Sequence, residues 1–135
     1  MIDKFNIRVY GICIVNDKIL ALKEEYAGQT LIKLPGGGLE FGETTIDCLK
    51  REFSEELNLS IKIKSHYYTQ EEFLVSRFKS NEQLLTIYYL CEIENLEDLI
   101  ISDPLIEQIM WLPITEDNQL ELPIDRIDFE KIKNM

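Results

Sequence analysis

The sequence predicts an α/β fold in which a mixed β-sheet lies between helices. Three observations support this class: β-branched apolar runs fill the first third of the chain, apolar residues recur at helical spacing from Thr44 to Asn58, and strand-like segments then lead to a closing helix. With 135 residues the chain has the length of one domain, so we assign residues 1–135 to a single unit.

The first two strands form a predicted antiparallel hairpin. The segments "IRVYGICIV" and "KILALKEE" flank Asn16–Asp17, a dipeptide typical of turns. "LIKLPGGG" contains a short third strand, which we expect to end at Pro35 and the three glycines because these residues interrupt strands.

The first predicted helix begins near Thr44. Thr44 and Asp47 have the spacing of a capping box, which satisfies free N–H groups in the first helical turn. Asn58 is expected to end the helix, because asparagine tolerates the left-handed conformation common at that position. The apolar stripe of this helix comprises Ile46, Leu49, Phe53 and Leu57.

The second half of the chain continues with strands and a last helix. "LSIKIKSHYY" alternates as a strand, and another is expected around "EEFLVSRF", before a turn at "SNE". "QLLTIYYLCEI" is apolar on both faces, which predicts a central strand covered on both sides. "IMWLPI" is the last predicted strand. Pro123 then opens a helix whose buried side comprises Ile124, Ile127 and Ile132.

Composition argues against several functional classes. A net charge of −11 opposes binding to nucleic acid, whose phosphate backbone is held by clustered Lys and Arg. No stretch approaches the ~20 apolar residues of a membrane span, and the start of the chain lacks the pattern of a secretory signal. Cys13, Cys48 and Cys91 are odd in number and widely spaced, which predicts reduced thiols in a cytoplasmic protein.

Three carboxylates, Glu52, Glu55 and Glu56, lie on one side of the predicted helix, within about 100° of arc. Like charges at these spacings repel by about 0.2–0.5 kcal/mol per pair. One interpretation is a solvated helix face. The preceding "PGGGLEFGE" favours another, because its glycines could let the turn aim carbonyl oxygens and the Glu43 carboxylate at a metal. Oxygen ligands of this kind suit Mg²⁺.

Residues 37–59, "GGLEFGETTIDCLKREFSEELNL", closely resemble the Nudix box. That box is a Gly, five residues, a Glu, seven residues and then Arg-Glu-apolar-x-Glu-Glu-x-Gly-apolar. The sequence departs from it only at Asn58, where the box has Gly. The positions of the pattern are Gly37, Glu43, Arg51, Glu52, Phe53, Glu55, Glu56, Asn58 and Leu59.

The resemblance implies a Nudix α/β/α sandwich and Mg²⁺-dependent hydrolysis of a nucleoside diphosphate derivative, with Mn²⁺ as a substitute metal. Carried over by position, Glu55 and Glu56 would be direct metal ligands. Glu52 would be a ligand or the general base that accepts a proton from the attacking water.

The resemblance also assigns supporting roles. Glu43 would hold a water of the metal, the Gly37 carbonyl could be a ligand, and Arg51 would orient the glutamates. Glu107 is a second candidate for the base, although a solvated loop position explains it equally well. Candidates for binding substrate phosphates, each also explicable as a surface charge, are Arg8, Lys23, Lys33 and Arg77.

The substrate is less well determined by the sequence. The short chain is most similar to MutT-like members that act on nucleoside triphosphates, while ADP-ribose and nucleotide sugars are alternatives. A Nudix-fold module that senses a nucleotide without cleaving it is a competing hypothesis. Such modules usually lose box glutamates, and this chain retains every acidic position. A homodimer is among the arrangements to be tested.

Overall fold

The computed structural model describes residues 1–26 and 28–114. No helix among them is both long and apolar enough to cross a membrane. The helix predicted from Pro123 lies outside the described residues. The described elements are β1 (Lys4–Val15), β2 (Lys18–Tyr26), β3 (Gln29–Lys33), β4 (Gly36–Gly38), α1 (Thr45–Leu57), β5 (Ile61–Thr69), β6 (Leu74–Val75), β7 (Glu82–Ile93), a 3-10 turn (Leu96–Asp98) and β8 (Ile106–Pro113).

These strands form one mixed sheet whose main path runs β3-β2-β1-β7-β5. β1 and β7 are parallel, with Lys4 opposite Glu82 at one end and Cys13 opposite Cys91 at the other. The remaining described pairings are antiparallel, and β4, β6 and β8 add to β1, β7 and β2. The predicted mixed sheet and the central position of β7 are therefore confirmed.

The predicted hairpin is present between β1 and β2, with Ile14 opposite Ile19 across the turn. Asn16 and Asp17 both have positive φ, 53° and 62°. Two-residue hairpin loops favour this conformation because its twist matches that of the flanking strands, and Asn and Asp adopt it more readily than most residues.

Two strand predictions were wrong in extent. The glycines after Pro35 do not simply end a strand: Gly36–Gly38 form β4 and pair with Arg8–Tyr10 of β1. Their lack of side chains lets this backbone lie close to the helix while it pairs with β1. The strand expected around "EEFLVSRF" is reduced to the two residues of β6, because pairing with β7 is limited to Leu74 and Val75.

Helix α1 has the predicted caps. The Thr44 hydroxyl accepts a hydrogen bond from the Asp47 N–H at 3.0 Å, and Asn58 adopts a left-handed conformation with φ 56° and ψ 35°. The expected apolar stripe is wrong at one position, since Ile46 is 37% exposed. Cys48 replaces it on the buried side and points at the β4 carbonyls of Gly37 and Gly38.

The core divides between the two faces of the sheet. On one face α1 packs on β1, β2 and β7, in a cluster that includes Val9, Leu22, Leu49, Phe53 and Cys91. On the other face lies a second cluster that includes Tyr10, Ile12, Leu34, Tyr88 and Leu112. Burial of Phe53 and Leu57 anchors α1 to the sheet and thereby orients the acidic side of the helix.

Substitution of Asn58 tests the C-terminal cap. Asn58→Ala should lower the free energy of unfolding by about 1–2 kcal/mol, because alanine incurs the left-handed penalty and loses the Nδ2 hydrogen bond to the Asp98 carbonyl. Asn58→Gly should lose less, because glycine adopts this conformation freely. Urea denaturation followed by circular dichroism measures both, with the exposed Ser54→Ala as control. Equal losses for alanine and glycine would show that the backbone conformation is not the cause.

Candidate active site

Arg51 is at the centre of the acidic side of α1. Its Nε and Nη2 donate to the two carboxylate oxygens of Glu43 at 3.0 and 2.8 Å. Nη1 donates to Glu52 at 2.9 Å and to Glu55 at 3.2 Å. Nη2 also donates to the Gly38 carbonyl at 3.1 Å. One guanidinium therefore joins the helix, the turn before it and strand β4.

These contacts change the acid–base properties of the cluster. Hydrogen bonds from Arg51, and then from the Glu40 N–H, lower the pKa of Glu43 to about 2. The hydrogen bonds with Glu43 contribute most to raising the pKa of Arg51, so its charge is permanent. Glu43 therefore stays ionised down to strongly acidic pH, and its negative charge is tied to the guanidinium.

Gly37 allows β4 to approach Glu52 closely. A Cβ atom at this buried position would lie 2.4 Å from the Glu52 carboxyl carbon, far inside van der Waals contact. Any larger residue would displace the Glu52 carboxylate from its present position. Gly37 is therefore in close contact with the Glu52 carboxylate, and the role of its carbonyl as a metal ligand stays a prediction.

Glu56 is the carboxylate that the protein satisfies least. Its Oε2 atom is buried and has no hydrogen-bond partner among the described residues. Burial, followed by hydrogen bonding with Glu52, raises the pKa of Glu56 to about 9. The side chain is thus predominantly protonated at neutral pH in the protein as it stands.

The residues present fit a hard divalent cation. Within residues 1–26 and 28–114, no three acidic, cysteine or histidine side chains form a preassembled coordination shell. Arg51 instead bonds to three of the acids. The buried Glu56 oxygen nevertheless has no hydrogen-bond partner among the described residues, and a cation that displaced the proton could bind it. The carboxylates and the glycine carbonyls of the cluster offer oxygen atoms, the ligands that Mg²⁺ and Mn²⁺ prefer.

A second charged group lies beside this cluster. Arg8 donates from Nε to the Tyr10 hydroxyl at 2.7 Å, and its guanidinium carbon lies 5.7 Å from the centre of the Tyr10 ring. Lys33 is 6.0 Å from the same ring and 3.3 Å from a Glu24 carboxylate oxygen. Two of the predicted phosphate-binding residues, Arg8 and Lys33, are therefore brought together.

Glu24 was missed by the sequence analysis, although a signal was present. Leu20, Leu22 and Glu24 alternate on β2, so Glu24 occupies the side of the strand that should be buried. Lys33 has the same relation to Leu31 on the neighbouring strand β3. Two opposite charges on the buried sides of adjacent strands could have predicted an internal ion pair.

The other predicted residues have different surroundings. Lys23 and Glu107 pair with each other at 3.8 Å, with 39% and 40% of their side chains exposed. The exposed Arg77 lies over the Phe78 ring, 5.8 Å from its centre. Their predicted roles in phosphate binding or proton transfer stay predictions.

The raised pKa of Glu56 predicts a pH-dependent stability in the metal-free protein. In the unfolded chain Glu56 has its ordinary pKa of 4.5, so the folded state binds the proton more tightly. The free energy of unfolding therefore falls as the pH rises from 4.5 towards about 9. Glu56→Gln removes the titration. Its unfolding temperature relative to wild type, measured in EDTA, should therefore rise between pH 5 and pH 9. Glu55→Gln, at a side chain that is 62% exposed, is the control. If the difference in unfolding temperature between Glu56→Gln and wild type does not change with pH, the raised pKa does not belong to Glu56.

Comparison with known proteins agrees with the box. The model of the NUDIX domain family matches residues 5–131. An RNA pyrophosphohydrolase from Ruthia magnifica subsp. Calyptogena magnifica is 43% identical over 63 residues, which cover 46% of this chain and 35% of that protein. The match thus spans little more than a third of the relative's length.

Solved structures show the same fold. A NUDIX hydrolase from Nitrosomonas europaea superposes with a TM-score of 0.79 at 20% identity, covering 96% of this chain and 90% of that one. A MutT NUDIX hydrolase from Burkholderia pseudomallei also gives 0.79, at 17% identity, covering 96% of this chain and 99% of that one. The predicted Nudix fold class is confirmed. Because the family model spans nearly the whole sequence and the box carboxylates of α1 and the turn before it surround Arg51, we conclude that the chain belongs to the Nudix domain family.

Proposed function

We propose that this protein is a Mg²⁺-dependent pyrophosphohydrolase that cleaves the diphosphate bridge of a nucleoside diphosphate derivative, with Mn²⁺ able to replace Mg²⁺. The observation that carries the proposal is the acid cluster itself. Arg51 gathers Glu43, Glu52 and Glu55, and Glu56 offers a buried oxygen that has no described partner.

Metal binding is assigned to the predicted set. Glu55 and Glu56 are the proposed direct ligands, Glu52 is a further ligand or the base, and the Gly37 carbonyl is a candidate ligand. Glu43 is the proposed holder of a coordinated water. When bound, the cation would neutralise phosphate charge and make water easier to deprotonate. Arg51 keeps the carboxylates in place, so their mutual repulsion does not scatter them before the metal binds.

Proton transfer is assigned to Glu52 first. Its carboxylate lies next to Gly37, receives one hydrogen bond from Arg51 and is 14% exposed. It can therefore be held within reach of an attacking water and accept its proton. Glu107 remains the second candidate.

Phosphate binding is assigned to Arg8 and Lys33. A Cβ placed on Gly38 would be 3.7 Å from Arg8 Nη1, so the guanidinium lies beside the same glycine strand that borders Glu52. Tyr10 accepts the hydrogen bond from the Arg8 Nε, so Nη1, beside Gly38, is the nitrogen that we assign to phosphate. Lys23 and Arg77 are proposed as further contacts for the outer part of the substrate.

Nucleoside triphosphates are the first proposed substrates. The RNA pyrophosphohydrolase similarity supports a second candidate, the 5′-triphosphate end of RNA. The net charge of −11 opposes extended contact with an RNA backbone, so a free nucleotide is favoured. ADP-ribose and nucleotide sugars are the remaining alternatives, and a sensor without turnover is the competing class.

We also propose a cytoplasmic location and one domain over residues 1–135, and we retain a homodimer as an arrangement to be tested.

A substrate panel tests the activity. Purified protein should release phosphate, pyrophosphate or a nucleoside monophosphate from one class among nucleoside triphosphates, 5′-triphosphate RNA, ADP-ribose and nucleotide sugars. The reaction should require Mg²⁺, stop in EDTA and return with excess Mg²⁺ or Mn²⁺. Tight nucleotide binding without product from any class would instead identify a sensor.

Two variants separate the candidate bases. Glu52→Gln should reduce kcat by about 10²–10⁴-fold, the usual contribution of general-base catalysis. Glu107→Gln should change kcat by less than about threefold if Glu52 is the base. Steady-state kinetics in saturating Mg²⁺ measures both, and calorimetric titration with Mn²⁺ reports whether Glu52→Gln still binds metal. A Glu52→Gln enzyme that turns over well while Glu107→Gln does not would transfer the role to Glu107.

A further inference from the structure

The Glu24–Lys33 ion pair is buried near Tyr10, the residue that also bonds Arg8. The Lys33 Nζ and a Glu24 carboxylate oxygen are 3.3 Å apart, and only 8% and 10% of the two side chains are exposed. The other lysine–glutamate pairs among the described residues, Lys23–Glu107 and Lys79–Glu82, are 3.8 and 3.9 Å long, with at least one side chain much more exposed.

Burial makes this pair energetically unusual. Taking an ammonium and a carboxylate out of water is strongly unfavourable before their attraction is counted, so an apolar pair would often be equally stable or more so. The strands already bury Leu22, opposite Lys33, and Leu31, opposite Glu24. Stability alone therefore gives no reason for two charges at these positions.

The charged residues near the Glu24–Lys33 pair suggest what it does. Lys33 Nζ and the Arg8 guanidinium carbon lie 6.0 and 5.7 Å from the centre of the Tyr10 ring. Against the opposing effect of burial, Tyr10 and then Glu24 favour the charged form of Lys33 and raise its pKa. Tyr10, Glu52 and Glu24 do the same for the pKa of Arg8. Glu24 therefore lies near both Arg8 and Lys33, the two cations proposed to bind phosphate. Lysine has four rotatable side-chain bonds and three donor hydrogens, so a fixed anion beside it can hold the ammonium in one place and leave donors for a ligand.

We propose that Glu24 is a positioning residue that fixes the Lys33 ammonium for binding substrate phosphate. The inference rests on the proposed function and deepens it. Glu24 makes no contact with the substrate; it limits the motion of Lys33 before the phosphate arrives, so less side-chain entropy is lost on binding.

The sign of one measurement separates positioning from simple electrostatics. Glu24 is negative and the ligand is an anion, so removing the charge should strengthen phosphate binding if Coulomb repulsion dominates. If Glu24 acts by positioning Lys33, its removal should weaken binding instead. The two explanations therefore predict opposite changes for Glu24→Gln.

The probe is methylenediphosphonate in Mg²⁺, a diphosphate mimic without a hydrolysable bridge or a nucleoside, titrated by calorimetry. Glu24→Gln should raise its Kd about tenfold, in the range of couplings between contacting residues. In a Lys33→Met background, the same change should alter Kd by less than about twofold, because the group that Glu24 positions is gone. Glu24→Asp should give an intermediate loss.

Controls keep folding separate from binding. Glu25→Gln, at the exposed next residue of β2, should bind the probe as wild type does. Thermal unfolding verifies that each variant is folded. If Glu24→Gln does not fold, binding of the probe is compared between wild type and Glu24→Asp instead. The Glu24→Gln/Lys33→Met double variant leaves neither charge unpaired and is compared with Lys33→Met.

Two results would overturn the proposal. The first is unchanged or tighter binding by Glu24→Gln or, if that variant does not fold, by Glu24→Asp. The second is an equal loss of binding whether the change at Glu24 is made in the wild-type chain or in the Lys33→Met background. The proposed hydrolysis fails separately, when wild-type protein releases no product from the substrate panel. Probe binding that follows the predicted pattern in a protein without turnover would support the positioning role and reject the enzymatic one.

Discussion

The site depends on one charged interaction, the guanidinium of Arg51 among the box carboxylates. Four carboxylates close together would repel, and the described chain places a single arginine where three of them meet. The planar fork of arginine can bond both oxygens of Glu43 and still reach Glu52, Glu55 and the Gly38 carbonyl. A lysine could not make these contacts together, because all of its N–H donors are on a single nitrogen atom.

The cluster also includes a close approach of strand β4 to the Glu52 side chain. Strand β4 is made of three glycines, and at Gly37 a Cβ would overlap the Glu52 carboxylate. Pairing with β1 fixes this backbone, while burial of Phe53 and Leu57 fixes the helix opposite. The distance between β4 and α1 therefore depends both on the glycines of the strand and on the packing of the helix.

Charge is distributed unevenly across the site. Glu43 and the exposed Glu55 are paired with Arg51. The Glu56 oxygen is buried without a hydrogen-bond partner among the described residues, and Glu24 and Lys33 are buried as a pair. A buried carboxylate without a partner is unfavourable unless it is protonated or meets a cation. This asymmetry explains why the raised pKa is found at Glu56, and it favours a metal that replaces a proton there.

Local chemistry determined much of this protein before any tertiary contact was known. The turn at Asn16–Asp17, the caps at Thr44 and Asn58 and the spacing of the acids depend on residues within a few positions of one another, so the sequence was sufficient to predict them. The strand pairing of the glycines, the exposure of Ile46 and the Glu24–Lys33 pair depend on which strands become neighbours. Only the tertiary structure decided these features, because distance between elements, rather than residue type, determines whether a charge is solvated or buried.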